Sequence, residues 1–193
     1  MKKELTTRII AGKFKGRKIQ LPSKDVTRSS KNILREALFN ILQFDIVDKN
    51  FVEVFGGSGS VGLEALSRGA KNVYFIEKNR ASYDVLKKNC KSLDDSSCIV
   101  RYGDAFDLLF DVIEDLKRAK EKAYFYFDPP FSIREGYEDI YEKVIQIIKR
   151  IPKEVSEAII VEHMTKADFP EKIGSYELYK RRKFGKSTLS FYR

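Results

Sequence analysis

With 193 residues, a single histidine, two cysteines and a formal net charge of +9, the chain can bury one full core but not two complete domains. His163 alone would have to carry any Ser-His-Asp or Cys-His hydrolase or a histidine-ligated metal. Cys90 and Cys98 lack Cys-x-x-Cys spacing, so a reduced intracellular thiol pair is expected instead of a zinc site or a disulfide framework.

The N-terminal residues Met1-Lys2-Lys3-Glu4-Leu5 lack the apolar segment of a leader, and no apolar run approaches the ~18 residues of a membrane span. A cytoplasmic chain with no membrane and no metal is expected. Between Met1 and Arg35 eleven Lys or Arg face two acids, Glu4 and Asp25, and the remaining 26 basic and 26 acidic residues cancel. The whole excess is thereby assigned to a basic arm carrying Arg8, Lys13, Lys15, Arg17, Lys18, Lys24, Arg28 and Lys31. Its charges alternate with apolar residues in strand-like stretches at 8–12 and 17–21, which suits a phosphate-backbone partner better than a low-complexity tail. A solvated face or an anionic-membrane patch is the plainer alternative.

Along the chain, Ser30 is placed to cap a helix over residues 32–42. A strand is expected at 51–55, a helix at 61–68, a strand at 72–77, a helix at 80–90, a strand at 98–102 and a helix at 105–118. An aromatic strand follows over 122–127, then a helix at 137–150 and a strand at 157–162. This alternation predicts a parallel sheet with helices on both faces. The ending differs: 176–180 and 188–192, joined through Phe184-Gly185-Lys186-Ser187, read as an antiparallel hairpin. The one candidate boundary lies near residues 22–29, giving a basic β arm at 1–28 and a main domain at 29–193.

Three motifs fall at the carboxyl ends of these strands, where open α/β sheets bind ligands. Gly57, Gly59 and Gly62 fit G-x-G-x-x-G between a strand and a helix, which lets backbone approach a ligand and leaves helix N–H groups free. Glu77 ends the next strand twenty residues after Gly57, the spacing at which a carboxylate accepts from ribose hydroxyls. Asp104 is placed to bond an adenine amino group, or equally to cap the following helix. In Tyr126-Phe127-Asp128-Pro129-Pro130-Phe131 the prolines end the strand at Asp128 and remove two donors. That leaves a rigid loop of acceptors for a ligand bearing N–H groups, with Phe131 as a stacking face; a simple Pro-Pro turn is the alternative. The glycine loop and Glu77 suit NAD as well as S-adenosylmethionine. A nicotinamide enzyme commonly needs an acid/base pair such as Tyr-Lys, and none stands at a strand end.

In order, Glu53-Val54-Phe55-Gly56-Gly57-Ser58-Gly59, Glu77, Gly103-Asp104 and Asp128-Pro129-Pro130-Phe131 resemble the motifs of class I amino-methyltransferases. More closely, the chain is similar to the RsmD family of bacterial 16S ribosomal RNA guanine-N2 methyltransferases. That likeness runs from Arg8 almost to the last residue and includes the arm, Arg28-Ser29-Ser30, Arg35-Glu36-Ala37-Leu38-Phe39-Asn40 and the Gly57 to Ala70 block. Glu53 stands where the family usually has Asp, Gly56 where it has Ala, and Asn32-Ile33 where Asp-Arg is expected.

The resemblance implies a Rossmann-like class I methyltransferase sheet and S-adenosylmethionine held by Glu53, Gly57, Ser58, Gly59, Glu77, Lys78, Asp104 and Ala105. It implies catalysis at Asp128, Pro129, Pro130 and Phe131, and RNA contact through Arg8, Lys13, Lys15, Arg17, Lys18 and Arg28. The expected partner is ribosomal RNA or the small ribosomal subunit, met by a monomer. A DNA adenine or cytosine amino-methyltransferase would share the catalytic loop, and a noncatalytic RNA-binding module would keep only the arm.

Overall fold

The computed structural model describes residues 5–22, 28–130, 136 and 139–193. The chain divides into two compact units, Met1–Leu109 and Phe110–Arg193.

In the first unit, β1 (Thr6–Arg8) and β2 (Lys18–Gln20) form an antiparallel ribbon. After it, α1 (Arg28–Ile41), α2 (Ser60–Ser67) and α3 (Arg80–Leu93) alternate with β3 (Asn50–Glu53), β4 (Val73–Glu77) and β5 (Cys98–Tyr102). These three strands are parallel, with β4 between β3 and β5. Phe51, Val52, Val73 and Phe75 are completely buried, the continuous apolar burial that parallel strands covered on both faces require.

The unit boundary falls inside α4 (Ala105–Ala119). In the second unit β6 (Ala123–Phe127) lies parallel to β7 (Ser156–Met164), with α5 (Ile140–Ile148) between them in sequence. On the other side of β7 the direction reverses: β10 (Ser187–Tyr192) pairs with β7 and with β9 (Tyr176–Phe184), and β8 (Lys172–Ile173) with β9. The expected parallel sheet and antiparallel ending are both present.

Several boundaries differ from the sequence reading, each for a local reason. Ser30 is not a cap, because α1 begins at Arg28; first-turn amides need no helical acceptor, so the helix can extend past a capping residue. The first ribbon strand ends at Arg8 because the amides of Ile10 and Ala11 turn to the carboxylate of Glu64, at 2.8 and 3.0 Å. β9 runs on through Arg181, Arg182 and Lys183, because β10 pairs with it along that whole stretch. The start of the helix expected from Tyr137 lies outside the described residues.

Glu64, in α2, is fully buried. Besides the two arm amides it accepts from Arg68 Nε at 2.8 Å, and Arg35 Nε approaches within 3.8 Å. Arg35, itself buried, donates through Nη2 to the carbonyl of Arg8 at 2.7 Å and to Asn32 Oδ1 at 3.1 Å. One carboxylate therefore joins the ribbon, α1 and α2. Removing it leaves the Arg68 guanidinium and two arm amides without this acceptor and the buried Arg35 without its facing charge, so Glu64→Ala is expected to cost about 3–5 kcal/mol in urea unfolding.

His163 is equally enclosed, at 2 % exposure. It stacks on Phe169 with centroids 4.4 Å apart and meets the edge of Tyr141. Nδ1 lies 2.9 Å from the Met164 carbonyl and so carries the proton, leaving Nε2 to accept from Ser190 Oγ at 2.9 Å. Both nitrogens are committed to packing. Burial, with Arg181 nearby, holds the imidazole below its ordinary pKa against the pull of the Met164 carbonyl. The unfolded chain thus takes up this proton first, near the ordinary value of about 6.5, and stability drains away as pH falls from there toward the folded value. Urea midpoints should drop between about pH 7 and 5.5, and the lone imidazole signal in NMR should titrate below about 6.5.

Candidate active site

In the first unit the site begins where β3 stops. Val54 and Phe55 bend away, and Gly56 N–H donates to the Ile76 carbonyl at 2.8 Å, holding the loop against the end of β4. Gly57 and Gly59 take left-handed φ angles of 53° and 77°. The two have different reasons to be glycine. A Cβ at Gly59 would sit 2.5 Å from Leu86 Cδ1, whereas one at Gly57 would have nothing within 4 Å among the described residues. Gly59 therefore serves packing and Gly57 leaves an open approach to backbone. Ser58 is buried, and its carbonyl accepts from Asn89 Nδ2 at 2.8 Å.

Glu53, 4 % exposed, reaches forward to accept from Gly62 N–H at 2.7 Å. Gly59 supplies α2 with no side-chain cap; the Glu53 carboxylate takes that place beside the positive end of the helix. A Cβ at Gly56 would come 3.1 Å from both the Ile76 carbonyl and Leu86 Cδ2, so an alanine there would need only a small adjustment.

Glu77 ends β4 with Gly57 N–H donating to Oε2 at 2.7 Å and Asn79 N–H to Oε1 at 2.6 Å. Each carboxylate oxygen has a second lone pair, so two acceptor positions are left beside the open face of Gly57. β5 brings the next motif alongside: Gly103 N–H donates to the Glu77 carbonyl at 3.1 Å. Asp104 Oδ1 caps α4 by accepting from Phe106 N–H at 2.9 Å, and Oδ2 lies 3.4 Å from Lys78 Nζ. The capping role open in the sequence is thus realised, with Oδ2 on the exposed side. Ala105 is buried in the first turn. Phe55 meets Phe106 edge to face at 6.0 Å, packing the glycine loop against the Asp104 turn.

The basic arm is docked, not free. Besides its Glu64 contacts, Phe14 N–H donates to Ser67 Oγ at 3.0 Å and Lys13 N–H to the Ser67 carbonyl at 2.8 Å. Gln20 exchanges backbone bonds with the Asn89 side chain at 2.8 and 3.0 Å. Of the cations, Arg8 donates to the Gly16 carbonyl, Arg17 to the Ser92 carbonyl, and Lys13 pairs with Asp94 at 3.2 Å. Lys15 and Lys18 are exposed with no ion pair among the described residues. Arg28 opens α1, and its side chain is outside the described residues.

In the second unit β6 delivers Asp128, half-buried, at its end, followed by buried Pro129 and half-buried Pro130. Phe131 lies outside the described residues. Behind Asp128, all five residues of β6 are buried, and Tyr126 donates its hydroxyl to Glu162 Oε2 on β7 at 2.6 Å. The sequence reading missed Glu64, Ser67, Asn89 and Glu162. The first three lie on helix positions that look like ordinary polar surface. Glu162 does carry a signal: an acid directly after the apolar run 158–161, on the same expected strand.

The family model described as Conserved hypothetical protein 95 matches residues 7–193. The Escherichia coli (strain K12) protein named Ribosomal RNA small subunit methyltransferase D is 31% identical over 186 residues, covering 96% of this chain and 88% of the relative. A Haemophilus influenzae protein of the same name is 37% identical over 127 residues, 64% of this chain and 63% of the relative. The solved structure of Escherichia coli yhhF, described provisionally as a methyltransferase, superposes with a TM-score of 0.75 at 30% identity and covers 97% of both chains.

The two loop glycines should respond differently to alanine. Gly59→Ala combines a left-handed strain of about 1–2 kcal/mol with a clash on Leu86, and should lower thermal stability more than Gly57→Ala, which meets the strain alone. Gly57→Ala places its methyl over the open face, so its larger effect should fall on ligand affinity, read by calorimetry.

Proposed function

We propose that this chain, which belongs to the Conserved hypothetical protein 95 family, is a ribosomal RNA methyltransferase that moves a methyl group from S-adenosylmethionine to the exocyclic N2 amine of a guanine in small-subunit RNA. The observation that carries this reading is the contact of Gly57 N–H with Glu77 at the ends of β3 and β4, with Asp104 alongside. The names of the relatives support the RNA and the methyl transfer; the acceptors of the Asp128-Pro129-Pro130 loop support an amine as the target.

The residues fit an adenosine-bearing cofactor. Gly57 gives close access to backbone, Glu77 has acceptor positions for two ribose hydroxyls, and Asp104 Oδ2 is available to an adenine amino group with Lys78 beside it. S-adenosylmethionine supplies an electrophilic methyl on sulfur and leaves as a thioether. The arm at 1–28 serves the RNA and residues 29–193 the chemistry.

Guanine N2 is a weak nucleophile because its lone pair is delocalised into the ring. Asp128 accepts one N2–H and the Pro129 carbonyl the other, so the nitrogen is held as it begins to pyramidalise. Neither proline can donate, so neither competes for that lone pair. As the N–C bond forms and the C–S bond breaks, N2 gains positive charge, and the Asp128 carboxylate stabilises it before taking the surplus proton. Phe131 stacks on the extruded base. Orientation and fixed dipoles carry most of the rate.

Single-turnover methylation of small ribosomal subunits with labelled cofactor, followed by mapping of the modified nucleoside, tests the assignment. Asp128→Ala should slow transfer about 10²–10⁴-fold while leaving cofactor affinity intact. Asp128→Asn keeps an acceptor without the charge and should fall between the two. Glu77→Ala should do the converse, weakening the cofactor by roughly 1–3 kcal/mol. An Asp128→Ala rate within a factor of two of the parent would return the loop to an ordinary turn.

A further inference from the structure

The charges that cancel beyond Arg35 are not evenly spread. Glu177 is the last acid of the chain, and the stretch from Leu178 to Arg193 holds six basic residues and none acidic; the residues between Arg35 and Leu178 carry the matching acidic excess. The basic segment forms the β9–β10 hairpin. Arg182, Lys183 and Lys186 are exposed and Lys180 half-buried. None of the four has an ion pair among the described residues, although Lys143 and Lys172 of the same unit pair with Asp139 and Glu177.

The neighbouring Arg181 has a different task. Its Nη2 donates to the Phe169 carbonyl at 2.7 Å and its Nε to Ser190 Oγ at 3.2 Å, so it belongs to the packing around His163. The hairpin tip is held as well. Gly185 turns at φ 58°, its carbonyl accepts from Thr165 Oγ1 at 2.9 Å, and the Lys186 carbonyl accepts from Thr165 N–H at 2.8 Å. Lys183, near the end of β9, and Lys186, in the turn, therefore stand on fixed backbone, not on a mobile tail. Tyr179, 41 % exposed, adds an aromatic face with Arg193 above it at 4.7 Å.

Cations on β9 also deter strand addition at a sheet edge, the ordinary reason for lysine there. That reason does not extend to Lys186, which lies in the turn, nor to an exposed tyrosine on β9 just past its pairing with β8. Unpaired cations on a rigid hairpin beside an exposed aromatic suit a polyanion with stackable bases.

We propose that the β9–β10 hairpin is a second RNA-backbone contact, in which Lys180, Arg182, Lys183 and Lys186 neutralise phosphates of the same small-subunit RNA. The assignment rests on the ribosomal RNA reading above. The test is filter binding of a small-subunit ribosomal RNA transcript across 50–300 mM KCl, with phosphatidylglycerol vesicles as a second probe. It uses the parent chain, the combined Lys180→Gln, Arg182→Gln, Lys183→Gln, Lys186→Gln variant, and the milder pair Lys183→Gln, Lys186→Gln.

Each lost phosphate contact should lower the slope of log affinity against log salt by about 0.7–0.9, so the fourfold variant should lose roughly three units and the pair about half as much. Substituting Arg for the three lysines should retain the parent slope. Affinity and slope unchanged in a parent chain that binds the transcript would overturn the hairpin assignment alone. The same holds if only vesicle binding falls, or if the variant merely sediments as aggregate. A parent chain that neither binds nor methylates the RNA would instead remove the function on which the assignment rests. Circular dichroism on the milder pair guards against misfolding as the cause.

Discussion

A single buried carboxylate organises the first unit. Glu64 receives two amides of the arm and the guanidinium of Arg68, just past the end of α2, and faces a second from α1. Such a charge is tolerable inside a protein only when its oxygens are fully used. The arrangement dictates where the β1–β2 ribbon ends, since the amides that would continue it are spent on Glu64. It also turns a cationic N-terminal segment into a rigid ribbon. Ser67 and Asn89 extend the same device along α2 and α3, each meeting the arm's backbone with a side chain.

The glycine loop depends on similar bonds. Asn89 holds both Gln20 of the arm and the Ser58 carbonyl of the loop, so the cationic ribbon and the glycine loop share one side chain. Glu53 and Glu77 bracket that loop from two strands, one capping α2 and the other accepting from Gly57. A loop with left-handed residues stays in one conformation only when its surroundings over-determine it. Here two carboxylates, an amide and the Phe55–Phe106 contact do so.

In the second unit the constraint is burial around strands. β6 is aromatic and wholly enclosed, and its Tyr126 hydroxyl is satisfied by an equally buried glutamate. Strand and prolines together leave Asp128 little freedom at the strand end. The hairpin shows the opposite regime: β9 carries its cations where water reaches them, while the Arg181 among them is drawn inward by a carbonyl and a hydroxyl.

Local pattern was enough for most of the architecture. Alternating apolar strands and amphipathic helices, the glycine spacing, an acid twenty residues on and an aspartate before two prolines are properties of short stretches, and residues 98–102 came out as the strand observed. The RsmD likeness was legible for the same reason, being carried by contiguous motifs. Tertiary structure alone decided which polar side chains are inside. Glu64 and Asn89 occupy helix positions whose burial depends on an arm some fifty to seventy residues distant, and Ser30 falls inside α1 instead of ahead of it. It also decided that 181–184 is strand, since a run of cations becomes a strand only when a partner supplies the hydrogen bonds. Sequence periodicity records which residues can face a core; which polar groups meet across it depends on long-range pairing, and no local window contains that.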